Sequence, residues 1–354
     1  MVVMMENKNY SDVIGQSDQP YTNSLASRYG LATKSYGVGH PSLPNYLPII
    51  SGSNQGVTVD EPPSSSGIFN QPTIASQLAT AGYTAKAYAE NLPANPANDS
   101  GEYAVRHFPW EYFAGKPSIA DASRLTTDLS SASAPDFVWY TPNLINDEHD
   151  GSVQQGDAFL SSFIPGVQAT TWYKSGGQII ITWDESNNDN SGINGGYGGK
   201  VPTIVVSASN NGRSLKDATP VDTAGILRSI EDRYGLPYLA NAANSANGTI
   251  DSLLGTAPSP TRSITNAART SAVAGQTFWF NVTTTGTPTP RLKKKGRLPK
   301  GVHFLNYHNG SGMIWGTPNP RRAVGTHQVT IVATYGTGKT KQVVTQVFTL
   351  TVAA

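Results

Sequence analysis

The hydrophobic pattern of this 354-residue chain changes period once, across the Pro/Ser/Thr-rich stretch 256–265 (TAPSPTRSIT). Before it, short apolar runs alternate with amphipathic stretches. After it, residues 277–283 (TFWFNVT), 328–334 (QVTIVAT) and 343–352 (VVTQVFTLTV) alternate apolar and polar side chains one by one, the period of half-buried strands. One layered core cannot serve both periods, so the chain reads as two domains: 1–257, a linker at 258–264, and a small β-sandwich at 265–354. The charges divide at the same place. Residues 1–260 hold 13 Lys+Arg against 24 Asp+Glu, a net −11; residues 261–354 hold 12 against none, a net +12.

Within the first part, 73–81 (TIASQLATA) predicts a helix stopped by Gly82, and 83–88 a strand. Residues 136–140 (DFVWY) predict a strand ending at Thr141-Pro142-Asn143. Residues 157–174 predict a helix with a break at Pro165-Gly166. Residues 178–183 (QIIITW) and 201–207 (VPTIVVS) are buried-type strands, and 222–234 an amphipathic helix capped by Asp222 or Thr223 and stopped by Gly235. Strand–helix alternation predicts the α/β class: an open, mostly parallel sheet flanked by helices. Ligands in such sheets bind beyond the carboxyl ends of the strands.

Polar clusters follow three of these apolar runs. Glu6-Asn7 follows 2–5 (VVMM), Asn143 and Asn146–Asp150 (NDEHD) follow DFVWY, and Asp184-Glu185 follows QIIITW. Strand-end carboxylates and amide oxygens suit a hard divalent cation, although each could equally be a solvated strand end. Ser42, in HPSLPNY (40–46), stands before an apolar helical stretch. It is either an ordinary N-cap or a nucleophile activated by a nearby cation, its oxyanion stabilised by helix N–H groups. His149 is a candidate ligand, phosphate donor or general acid. Lys86 and Arg106-His107 are basic groups that either meet an anionic substrate or are solvated surface. The chain has no cysteine, which excludes disulfides, thiolate metal sites and a cysteine nucleophile. No apolar run approaches the ~18 residues of a membrane-spanning helix. The first strand opens at Met1 with no signal peptide before it, as a trimmed start would give.

The motifs ENKNY (6–10), HPSLPNYLPIISGS (40–53), AKAYAENLP (85–93), RHFPWEYF (106–113), PDFVWYTPNLINDEHD (135–150), GDAFL (156–160), IITWDE (180–185) and ILRSIEDRYGLP (226–237) resemble the phosphoesterase family of bacterial acid phosphatases and phosphocholine-preferring phospholipases C, within the alkaline phosphatase superfamily. The resemblance covers roughly 1–245. It implies an alkaline-phosphatase-like fold and a metal-assisted phosphoric ester hydrolase forming a phosphoserine on Ser42. It implies Glu6, Asn7, Asp184 and Glu185 as cation ligands together with Ser42. It sets His149 and Asp150 close to the phosphate, and Asn45, Lys86, His107 and Asn143 as substrate-binding positions. Many relatives carry a histidine where this chain has Thr223. With only His40, His107 and His149 in the first domain, an oxygen-rich site for one divalent cation (Ca, Mg, Mn or Zn) is expected rather than an imidazole-rich zinc pair.

Residues 296–304 (GRLPKGVHF), 311–334 and 348–352 (FTLTV) resemble the immunoglobulin-like repeats of bacterial secreted and surface proteins. Such modules are accessory. Here six basic residues in 291–300 would hold an anionic cell-surface polymer or membrane surface; nucleic acid is disfavoured because no aromatic residues interleave with the run. The expectation is a secreted or cell-surface acid phosphatase acting on a phosphate ester. A phospholipase C-type phosphodiesterase and a non-catalytic surface-binding protein are the alternatives.

Overall fold

A computed structural model describes residues 1–254, 262–286, 289–336 and 341–354. The chain divides into two compact units, Met1–Pro258 and Ser259–Ala354. Of the expected linker, 258–261 lie outside the described residues. Ser263–Ile264 is a strand paired with Thr284–Thr285, so this end of the linker belongs to the second unit's β-structure.

The first unit is built on nine strands: β1 (Val2–Met5), β2 (Gly30–Tyr36), β3 (Ala85–Ala89), β4 (Ser118–Asp121), β5 (Phe137–Thr141), β6 (Gln178–Trp183), β7 (Lys200–Ser207), β8 (Leu215–Asp217) and β9 (Val221–Asp222). Their order is β4-β3-β5-β1-β6-β7-β2-β8, with β9 also on β2. Only β7 runs against its neighbours; the other described pairings are parallel. The expected open, mostly parallel sheet is present.

The sequence of β1 explains its central place. All four side chains are buried, Val2 and Met4 in one core and Val3 and Met5 in the other. A strand covered on both faces needs a continuous apolar run, not alternation. The helices Ile74–Ala81 and Thr223–Tyr234 cover one face through Leu78, Leu227 and Ile230. The helices Pro20–Arg28 and Val153–Ala169 cover the other through Leu25, Leu160 and Ile164.

One helix departs from expectation. It starts at Val153, behind a Ser152/Gln155 capping box, and runs through Pro165 to Ala169. Pro165 lies on the exposed side of the helix, away from the packed face, and the helix passes it unbroken.

The second unit packs a four-stranded sheet (Arg269–Val273, Gln342–Ala353, Gly325–Tyr335, Arg291–Lys295) and a three-stranded sheet (Phe278–Val282, Gly312–Gly316, Val302–Asn306) around Val282, Ile314, Ile331, Tyr335, Phe348 and Leu350. This is the expected small sandwich. The basic run is its edge strand rather than a loop, with Lys294 tied to the Gly296 carbonyl. No helix among the described residues is long and apolar enough to cross a membrane.

Candidate active site

Strand order assembles the site. β1 lies between β5 and β6, so Glu6, the loop after β5 and Asp184-Glu185 leave the sheet side by side at one edge. Backbone hydrogen bonds lock them: Glu6 N–H donates to Asp147 O at 2.8 Å and Asp184 N–H to Met5 O at 3.0 Å. Asn7 takes a left-handed conformation (φ 52°) that turns its N–H onto Asp184 Oδ1 at 3.0 Å. Ser42 arrives from β2 through the loop 37–41.

Glu6, fully buried, is the hub. Its Oε1 accepts from Tyr46 at 2.5 Å; its Oε2 accepts from Ser42 Oγ at 3.0 Å and Asn7 Nδ2 at 3.2 Å. Ser42 also opposes the upward pKa shifts of Asp184 and Glu185. It precedes the short helix Leu43–Tyr46, yet its hydroxyl makes no capping bond. The N-cap reading of Ser42 therefore fails. So does the expected role of helix N–H groups: the Leu43 N–H is taken by Asp60 Oδ1 at 2.9 Å, and Pro44 has none.

His107 stacks on Tyr46 (5.4 Å between centroids, planes 4° apart) and shares Nδ1 with Asp147 Oδ2 at 3.0 Å. Its Nε2 lies 3.4 Å from Glu6 Oε1 but makes no hydrogen bond. His149 sits beside it, ring centroids 5.2 Å apart, with Nδ1 on Asp150 at 2.7 Å and Nε2 beside Arg106 at 3.2 Å. His40 Nδ1 pairs with Glu185 Oε2 at 2.5 Å.

Burial, reinforced by Asp184 and Asp147, holds Glu6 well above the ordinary carboxylate range. Burial pushes Asp184 up to about 7, against hydrogen bonds from Asn7 and Glu185. Glu185 is pushed up to about 9 by burial and then by Asp184. Carboxylates packed this closely without a cation repel one another. Burial, with Arg106 and His149 next, pushes His107 well below its usual value, leaving a neutral imidazole fit to be a ligand. Asp184 Oδ2 is buried without a hydrogen bond, as is His107 Nε2. These orphaned atoms, with the crowded carboxylates, fit a divalent cation. Glu6, His107 and His149 bring one ligand atom each within 4.8 Å of one another. Imidazole therefore stands beside the oxygen ligands expected from the sequence.

A profile described as the Phosphoesterase family matches residues 9–237. The chain is also 31% identical over 250 residues, 69% of its length, to a phosphatidylinositol-3-phosphatase of Mycobacterium tuberculosis, of which the match covers 79%. The chain belongs to the phosphoesterase family. As a member of the phosphoesterase family it is a phosphoric ester hydrolase. An acid phosphatase of Aspergillus fumigatus is 25% identical over 69% of the chain, which spans 56% of that relative's length. A solved structure of a protein in the alkaline phosphatase superfamily from Vibrio parahaemolyticus aligns with 97% of this chain and 80% of its own, at 11% identity and a TM-score of 0.49.

Among the candidate residues of this phosphoesterase, Ser42, Glu6, Asn7, Asp184, Glu185, His107 and His149 come together, with Asp150 holding His149. Three do not join them as substrate contacts. Lys86 Nζ is bound to Asp128 at 2.7 Å, low on β3. Asn143 closes its own turn, its Oδ1 accepting from Ile145 and Asn146 and its Nδ2 donating to Asn91 and Glu102. Asn45 is buried, bridging Val38 and Gly39 N–H groups to the Gly39 and Pro41 carbonyls, so it shapes the loop carrying Ser42. Tyr46 and Asp60 were not expected at the site, whereas Asp147 belongs to the NDEHD cluster. Tyr46 had a signal: it lies four residues after Ser42, hence on the same helical face.

Proposed function

We propose that this chain is a cation-dependent phosphomonoesterase with Ser42 as nucleophile. The Ser42 hydroxyl, directed at Glu6 instead of capping its helix, carries this reading. Glu6, Asn7, Asp184, Glu185 and Ser42, joined by His107, would hold the cation. When bound, it supplies positive charge that offsets the carboxylates and lowers the serine pKa. Ser42 Oγ attacks phosphorus in line with the leaving oxygen; its proton passes to the surrounding carboxylate cluster as the P–O bond to the leaving group breaks. Water then hydrolyses the phosphoserine and restores the hydroxyl. His149, half-buried at the mouth and fixed by Asp150, holds or returns the leaving-group proton. Arg106, against Asp60 and His149, is the cation positioned to neutralise phosphate charge.

The relatives' names, phosphatidylinositol-3-phosphatase and acid phosphatase, both denote monoester hydrolysis, which favours a phosphatase over a phospholipase C. Secretion or display at the cell surface accords with that reading. The test is Ser42→Ala on p-nitrophenyl phosphate, with and without EDTA. Activity retained by the variant rejects the nucleophile; indifference to chelation rejects the cation. Faster turnover of phosphatidylcholine than of p-nitrophenyl phosphate would favour the phosphodiesterase, and no turnover of any ester the non-catalytic binder.

A further inference from the structure

We propose that the outer face of the three-stranded sheet in the second unit is a binding platform for an anionic polysaccharide. Trp279 and Trp315 are direct cross-strand partners, and His303 is the partner of Trp315 on its other side. The three rings make one row across the whole sheet, with His303 and Trp315 centroids 5.6 Å apart. Trp279 is 71% exposed and Trp315 42%. The next row on this face, Asn281, Met313 and Leu305, continues the platform.

Scattered apolar residues on a surface need no explanation, but two indoles exposed side by side do. The register is not accidental. Ile314 is buried, and Phe280 and Phe304 pack against the same core, so a one-residue slip would put core side chains in water. The sequence thus holds the tryptophans outward.

Charge selects the ligand. The ring row lies one residue from the end of the sheet where the strand of His303 begins and that of Trp315 ends. The loops at that end carry Arg297, Lys300, Arg321 and Arg322, all exposed. Asn319 N–H donates to Lys300 O at 2.9 Å and ties the two loops together. Residues 261–354 contain no Asp or Glu to oppose these cations. The run Arg291–Lys295 is the edge strand of the other sheet, so it adds to the long-range field. A ligand that fits has flat faces of C–H groups to lie on the electron-rich indoles and carboxylate, phosphate or sulfate groups for the loops. Sugar rings in an anionic polysaccharide offer both. An anionic bilayer fits less well: the indoles stand on paired strands with polar His303 and Asn281 beside them, not on a protruding loop.

The full chain is run in native gels containing polygalacturonate, with neutral pullulan as control, and titrated with phosphatidylcholine/phosphatidylglycerol vesicles. The expected result is retardation by polygalacturonate alone, with affinity falling at least tenfold in Trp279→Ala/Trp315→Ala and in Lys300→Glu/Arg322→Glu. Unchanged thermal midpoints and p-nitrophenyl phosphate turnover show that both variants are folded. Absence of retardation, retardation that survives loss of both tryptophans, or binding to the vesicles only would overturn the proposal.

Discussion

Ser42 and Tyr46, one helical turn apart, donate to different oxygens of the same buried carboxylate, Glu6. A buried carboxylate must be hydrogen-bonded or paired, and two hydroxyls from one short helix fix both its position and its orientation. Glu6 follows a central strand, β1, so this contact ties the serine loop to the middle of the sheet.

Tyr46→Phe keeps the ring against His107 and removes only the hydroxyl. Hydrogen bonds to charged groups contribute about 1.5–3 kcal/mol, so kcat/KM on p-nitrophenyl phosphate should fall about 10–100-fold. The melting temperature should shift by only a few degrees. Steady-state kinetics and a thermal melt check both; an unchanged kcat/KM would show that Glu6 does not depend on Tyr46.

Stripping cations should destabilise the protein more at pH 8 than at pH 6, because ionising Asp184 beside Glu6 and Glu185 costs stability as pH rises through about 7. Adding back a divalent cation at about 100 times its Kd should restore about 2.7 kcal/mol. Glu6→Gln and Asp184→Asn should lose that response. Differential scanning calorimetry of stripped protein against Mg, Ca, Mn and Zn would also rank the metals.

Glu231, buried on the helix Thr223–Tyr234, accepts from Leu239 N–H at 2.9 Å, and burial raises its pKa from 4.5 to about 7. A raised pKa means that the fold prefers the protonated form. Its contribution is complete below pH 4.5 and is lost as pH rises through 7. Glu231→Gln keeps the acceptor and cannot ionise. Its loss of stability between pH 5 and pH 8 should be smaller than that of the parent by about 1–3 kcal/mol, as followed by urea unfolding at the two pH values.

Gly52 ends the helix Pro48–Ser51 at φ 73°, where a methyl group would run into the Leu239 carbonyl. Gly52→Ala should cost about 2–3 kcal/mol from strain and overlap together. Gly56, at φ 82° with open space around it, provides the contrast. Gly56→Ala should cost only about 1 kcal/mol, and equilibrium unfolding of the pair separates the clash from the backbone term.

Lys86→Ala should leave phosphatase activity unchanged. Its ammonium is held by Asp128, a partly exposed pair contributing about 0–1 kcal/mol. A large loss of kcat would show that Lys86 reaches the site during turnover.

Much of the fold could be read along the chain. The buried strands show as continuous apolar runs, and Thr73 and Asp222 cap helices where short polar residues precede amphipathic stretches. The helix past Pro165 could not be read this way, because whether a proline breaks a helix depends on which face meets water. Asn143 and Asn45 look the same in sequence as ligand-binding amides. Only the turn and loop around each reveal that their donors and acceptors are already engaged.

Strand-end carboxylates, a serine before a short helix and a second, acid-free β unit are all written in the order of residues. These features are set by neighbouring residues, through period, turn chemistry and charge. Tertiary structure alone decided which groups meet. Placing β1 between β5 and β6 brings Glu6 against Asp147 and Asp184, residues more than a hundred positions away, and His107 with them. Lys86 goes to Asp128 instead. Strand order is a property of the whole packed sheet, and no local pattern encodes it.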